Sequence, residues 1–108
     1  MSYAVYTLEV FDKEMSKLPK DYISKIEKIF LQLKENPYVG DAIRYRFFRE
    51  KRVREKRIYY LVYDDLKIVL IVALSGKKTQ QETIDKIVNY LKEYNDYVKI
   101  LGDSSCSS

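Results

Sequence analysis

The sequence predicts an α+β fold with the element order β-α-α-β-β-β-α, and three observations carry that prediction. Two near-continuous apolar runs, residues 57–63 (RIYYLVY) and 67–75 (KIVLIVALS), meet at the turn Asp64-Asp65 and read as a strand hairpin. Upstream, Ile23, Ile26, Ile29, Phe30 and Leu33 recur at helical spacing, with Lys25, Glu27, Lys28 and Lys34 on the opposite side. Downstream, Ile84, Ile87, Val88, Leu91 and Val98 define a second amphipathic pattern. A helical hairpin and a C-terminal helix are then expected to pack on a mostly antiparallel, four-stranded sheet.

The elements follow in order. Residues 3–11 (YAVYTLEVF) are rich in β-branched and aromatic side chains, and Ala4, Tyr6, Leu8 and Val10 alternate onto one face of a strand. Asp12 is the expected N-cap of a short helix carrying Met15 and Leu18, which Pro19 ends. A second helix runs from Asp21 to about Glu35 and stops at Asn36-Pro37. Residues 41–50 (DAIRYRFFRE) alternate, with Ile43, Tyr45 and Phe47 expected inward and Arg44, Arg46 and Phe48 outward. Residues 51–55 lack apolar partners and read as a basic loop. Residues 68–74 fit a central strand covered on both faces, in which Gly76 marks the stop. A closing helix spans about 79–100.

The chain of 108 residues has room for one domain, assigned to 1–101, with 102–108 a disordered Ser-rich tail. Its only cysteine, Cys106, lies in that tail, so no internal disulfide can form and a reducing cytoplasm is the expected setting. No secretory leader is expected at the N-terminus, and the longest apolar run is far too short to cross a bilayer. Histidine is absent, which removes the imidazole base that Ser-His-Asp and Cys-His catalysis need and the commonest metal ligand. No cofactor or metal is expected. Any chemistry falls to Lys, Arg, Tyr and carboxylates.

The formal charge is only +4, but eight of the twenty Lys and Arg residues fall within residues 44–57. These are Arg44, Arg46, Arg49, Lys51, Arg52, Arg54, Lys56 and Arg57, opposed locally by Glu50 and Glu55. Such a cluster is either a solvated face or a footprint for nucleic acid or ribosome. Most of the eleven tyrosines, including Tyr45, Tyr59, Tyr60 and Tyr63, sit in predicted strands and read as core or sheet-face residues.

Three short segments then give the layout a resemblance. Leu33-Lys34-Glu35-Asn36-Pro37 followed by Gly40, residues 56–63 (KRIYYLVY), and Gly76-Lys77-Lys78-Thr79-Gln80-Gln81 resemble, in order and spacing, segments of the RelE/ParE superfamily of type II toxin–antitoxin toxins, the last one its archaeal and HigB-like members. The resemblance implies a toxin that cleaves mRNA on the ribosome without metal, with a cognate antitoxin as partner and assembly into larger toxin–antitoxin complexes. It implies catalytic roles for Arg57, Arg46, Arg49, Lys77 and Lys78, while the rest of the basic cluster, Arg44, Lys51, Arg52, Arg54 and Lys56, is expected to bind RNA. Arginine suits a phosphorane because its donor fork meets phosphate oxygens in pairs and keeps its charge. Lysine or tyrosine would move the proton, helped by a cationic surface that lowers their pKa values. Tyr90, Tyr94 and Tyr97 lie on the last helix, and none matches the C-terminal tyrosine of some members. Two other readings share the fold: a ParE-like poison of DNA gyrase, and a non-catalytic RNA- or ribosome-binding module. Arg57 also has a structural reading, as a partner of Asp64, Asp65 or Glu55.

Overall fold

The computed structural model describes residues 2–106. Its strands are β1 (Ala4–Thr7), β2 (Asp41–Ile43), β3 (Tyr45–Val53), β4 (Lys56–Tyr63) and β5 (Ile68–Ser75). Its helices are α1 (Glu9–Ser16), α2 (Lys20–Glu35), α3 (Gln80–Asn89) and α4 (Leu91–Cys106). The sheet has five strands in the order β1-β5-β4-β3-β2, antiparallel throughout except where β1 lies parallel to β5. The class is the expected α+β, with one strand more than the four predicted.

Alternation along the two central strands builds a three-layer molecule. Ile58, Tyr60 and Val62 of β4 and Val69 and Ile71 of β5 face Phe11 of α1 and Ile26, Ile29 and Leu33 of α2. Tyr59 and Leu61 of β4 and Ile68, Leu70 and Val72 of β5 face Ile84 and Ile87 of α3 and Val98 of α4. Side chains two apart share a face of a strand, so a run with no polar position must be covered on both sides. That is why these two strands lack polar alternation.

The differences from expectation are local. β1 ends at Thr7, and Leu8, still extended, is the residue from which α1 starts; Asp12 is in the first turn rather than at the cap, and Val10 is exposed. The segment 41–50 is two strands, because Arg44 takes a left-handed backbone (φ 60°) and the β2–β3 register shifts there. The shift reverses the expected facing. Phe48 is fully buried, whereas Tyr45 and Phe47 are exposed and stack on each other with ring centroids 5.1 Å apart. The expected basic loop 51–55 is strand through Val53, and only Arg54 and Glu55 form the turn, Arg54 with φ 54°. The closing helix breaks at Tyr90 into α3 and α4. The expected tail is helical as far as Cys106, with Gly102 buried so close to Leu66 that a Cβ would lie 3.3 Å from its side chain. Residues 107–108 lie outside the described residues.

Candidate functional site

The strongest concentration of charge lies at one end of the sheet, where the β3–β4 turn, the end of β5 and the approach to α3 converge. Two devices of the backbone make it. The tight turn at Arg54-Glu55 sets Arg52 directly across from Arg57. On the other side, Val72 is an extra residue in the β4–β5 pairing, since Tyr59 pairs with Ala73 but Tyr60 with Ile71. A bulge of this kind re-aims the residues beyond it. It brings Ser75 across from Arg57, and the chain then carries Lys77 and Lys78 over the same end of the sheet.

The result is an open cleft of about 640 Å³ walled by five cations, Arg52, Lys56, Arg57, Lys77 and Lys78. Glu55 is the one carboxylate in the lining, and Gly76 and Thr79 complete it. Lys77 and Lys78 are exposed, and Lys56 and Arg57 are half-buried. Arg52 is steadied by donating from Nε to the carbonyl of Arg54 at 3.1 Å. The Arg57 side chain is only 14% exposed beside Glu50. Its guanidinium makes no hydrogen bond among the described residues, so its donors are available to a ligand. Below it, the Tyr59 and Ser75 hydroxyls share a buried hydrogen bond of 2.9 Å.

The remaining predicted site residues are not in this cleft. Arg49 and Lys51 have the parity of Val53, the face that α1 and α2 cover. Arg49 donates to the carbonyls of Gly40 (2.6 Å), Tyr38 (3.2 Å) and Arg46 (3.0 Å), so its fork is filled by backbone and fastens the segment that precedes β2. Arg46 lies over the Tyr38 ring, 4.5 Å from its centroid. Arg44 pairs with Asp85 of α3 at 3.2 Å. Arg54 pairs with Asp21 and lies over the ring of Tyr22. Arg57 pairs with Glu50, not with Asp64, Asp65 or Glu55. Sequence reasoning named Glu50 and Glu55 only as local counter-charges, with Glu55 also a partner of Arg57, and did not single out Tyr59 and Ser75, which lie beneath Arg57. The parity Glu50–Arg52 along β3 was a usable signal; the bulge at Val72 that delivers Ser75 left none.

Asp64 is instead the centre of a separate latch at the other end of the sheet. Tyr38 and Tyr3 donate to its two carboxylate oxygens at 2.6 and 2.7 Å, tying β1, the α2–β2 connection and the β4–β5 turn together. The bonds from Tyr38 and Tyr3 hold the Asp64 carboxyl below its ordinary value of 3.8. Burial and the same carboxylate push Tyr38 up to about 12. Because the folded value of Asp64 is depressed, its stabilisation is complete above the ordinary value and is lost as pH falls through the lowered one. Melting curves of wild type and Asp64→Asn across a pH series should therefore differ fully near neutrality and begin to converge only below about pH 4. A gap that stays constant into acid would rule the latch out.

No tyrosine lines the cleft, and the cationic surface has not lowered the tyrosines as expected. Tyr59, Tyr60, Tyr63 and Tyr94 are all raised, in each case first by burial. Among the described residues no group of three or more His, Cys, Asp or Glu side chains is placed to hold a metal ion. None of the described helices is long and apolar enough to cross a membrane.

A three-layer α+β domain with five cations around one open cleft has the chemistry to grip a polyanion at several phosphates. No family model matches this sequence, and no curated protein sequence matches it. The fold is that of the RelE toxins. A mutant of the Escherichia coli toxin RelE in the free state superposes with a TM-score of 0.67 at 19% identity, over 81% of this chain and 99% of that one. The archaeal RelE–RelB complex from Pyrococcus horikoshii gives 0.62 at 20% identity, over 71% of this chain and 97% of the matched one. The RelBE2 toxin–antitoxin complex of Mycobacterium tuberculosis gives 0.62 at 21% identity, over 71% and 93%.

Proposed function

We propose that this chain is the toxin of a type II toxin–antitoxin system, a cytoplasmic, metal-independent endoribonuclease that cleaves mRNA on the ribosome. The observation that carries the reading is the position of Arg57: enclosed, with unfilled donors, at the head of a cationic cleft on a RelE fold. In the proposed reaction the 2′-hydroxyl attacks the adjacent phosphorus and the 5′-oxygen leaves. Negative charge then grows on the non-bridging oxygens. Donors fixed around that charge act without reorganising, which is where catalytic stabilisation is greatest. Arg57 supplies the paired donors, and Lys77 and Lys78 supply point charges on exposed, mobile stems. Arg52 and Lys56 hold the flanking backbone. A cognate antitoxin, as in the RelB complexes of the structural relatives, would neutralise this end of the sheet with acidic side chains.

The test is primer extension on ribosome-bound mRNA incubated with the purified protein in chelator. New 5′ ends support the reading. RNA or ribosome binding without new ends would favour a binding module, which the lack of a cleft tyrosine also favours. Inhibited supercoiling by gyrase without RNA ends would make it a gyrase poison.

Binding has its own signature. Each phosphate contact to single-stranded RNA contributes about 0.7 to the slope of log K against log salt. Lys77→Ala and Lys78→Ala should each flatten the slope by about that amount, measured by fluorescence anisotropy across a salt series. Lys13→Ala, on α1 outside the cleft, should leave it unchanged. Equal slopes in all variants would place the RNA elsewhere.

A further inference from the structure

Beside Arg57 stands a carboxylate with one oxygen that no hydrogen bond fills. Glu50 faces Arg57 from β3, its side chain 19% exposed, and Oε2 is buried without a hydrogen-bond partner. Arg57 Nε lies 3.9 Å from that oxygen, close enough for charge attraction but beyond hydrogen-bond range. Glu50 pairs across the sheet with Tyr59, whose hydroxyl is already engaged by Ser75. Arg57 lines the cleft and Glu50 does not. A buried unfilled acceptor is unfavourable unless another state of the site fills it. The Arg57 Nε–H is the donor that needs to move only about 1 Å to fill it.

We propose that Glu50 is the positioning residue of the cleft: when an anion occupies the terminal nitrogens of Arg57, Nε–H closes onto Glu50 Oε2 and locks the guanidinium plane. The proposal rests on the reading of the cleft as the site where RNA phosphate is gripped. Arginine is suited to this because its fork carries one donor on Nε and four on the terminal nitrogens, which can face opposite ways. The gap of 3.9 Å is then the open state of a two-state contact, and an anion shifts the balance because it binds the locked arginine better. Lysine at this place has no second donor edge and cannot serve both partners.

The experiment uses the full chain with inorganic pyrophosphate as probe. In proton–nitrogen correlation spectra, the Arg57 Nε–H signal of wild type should move downfield and become protected from solvent exchange as pyrophosphate saturates. In Glu50→Gln, which keeps the shape and removes the charge, that response should be strongly reduced. On RNA, Glu50→Gln should lose about 10- to 100-fold in kcat, the usual range for partners that orient a working group, with little change in KM. A merely structural glutamate would change the melting temperature and leave the Nε–H response intact. The idea is overturned if Arg57 in the unmodified chain ignores pyrophosphate, a result that needs no variant to fold. It is equally overturned if Glu50→Gln responds as wild type does. A wild-type chain that locks on pyrophosphate yet cleaves no RNA would remove the ribonuclease reading and leave the Glu50–Arg57 contact standing.

Discussion

Replacing Arg57 with alanine is expected to reduce mRNA cleavage by about 10²- to 10³-fold, the range seen when one donor to a developing oxyanion is removed. RNA affinity should fall far less, because Arg52, Lys56, Lys77 and Lys78 keep the electrostatic grip on the backbone. Arg57→Lys should recover little, since an ammonium keeps the charge and loses the paired donors. The same change should act on stability. Truncation leaves the buried oxygen of Glu50 with no cation beside it, and stranding a partly buried charge costs about 1–3 kcal/mol. The double variant Arg57→Ala/Glu50→Gln should regain most of that stability and none of the cleavage. This separation distinguishes lost chemistry from lost folding. Cleavage ends at wild-type intensity in primer extension with Arg57→Ala would sink the assignment.

What the sequence disclosed and what it hid divide along a physical line. Residues 58–62 and 68–72 announced a doubly covered hairpin because burial on both faces removes polar residues from a strand, and composition records that directly. The stripe Ile26, Ile29 and Leu33 announced α2 for the same reason. Backbone conformation at ordinary residues leaves no such record. Arg44, Arg54 and Lys67 are all left-handed at positions where glycine or asparagine would have flagged a turn. Tyr90 breaks the last helix without proline or glycine, and Val72 bulges inside an apolar run. The site shows the same limit. Eight cations within residues 44–57 pointed to the right stretch of chain, yet strand alternation and the reversed facing beyond Arg44 send them to different places. Arg52 and Arg57 meet as cross-strand partners, while Arg49 turns its fork to backbone carbonyls and Arg46 stacks on Tyr38. Proximity in sequence grouped cations that the fold separates, and the cleft is completed by Lys77 and Lys78 from beyond the end of β5.

The largest loss of stability from adding a single methyl group is expected at Gly40→Ala. Gly40 is buried, and it lies so close to β3 that a Cβ would collide with the carbonyl of Glu50 and come within 2.6 Å of the Tyr60 hydroxyl. Its φ is not positive, so the requirement is space, not an unusual backbone conformation. A side-chain tip can swing aside, but the Glu50 carbonyl belongs to a strand bonded on both edges and cannot move alone. Three contacts fail together if Gly40 retreats instead: its N–H donating to Tyr60 Oη at 3.1 Å, its carbonyl accepting from Arg49, and through Tyr60 the bond to the Pro37 carbonyl at 2.8 Å. Overpacking of this kind typically costs about 1–3 kcal/mol, and each buried polar group left unpaired adds about 1–3 kcal/mol. For a domain near this size each kcal/mol lowers the melting temperature by about 4–8 °C, so a fall of roughly 10 °C or more is expected in a thermal melt. Adding Tyr60→Phe removes one of the two obstacles and leaves the carbonyl, so the double variant should not recover. Because the clash falls on the backbone of Glu50, any strain that β3 takes up reaches the pair Glu50–Arg57, and cleavage by the folded fraction should fall as well. A melting temperature within about 2 °C of wild type would mean that β2 and β3 part easily and that Gly40 is not packed as closely on β3 as its surroundings indicate.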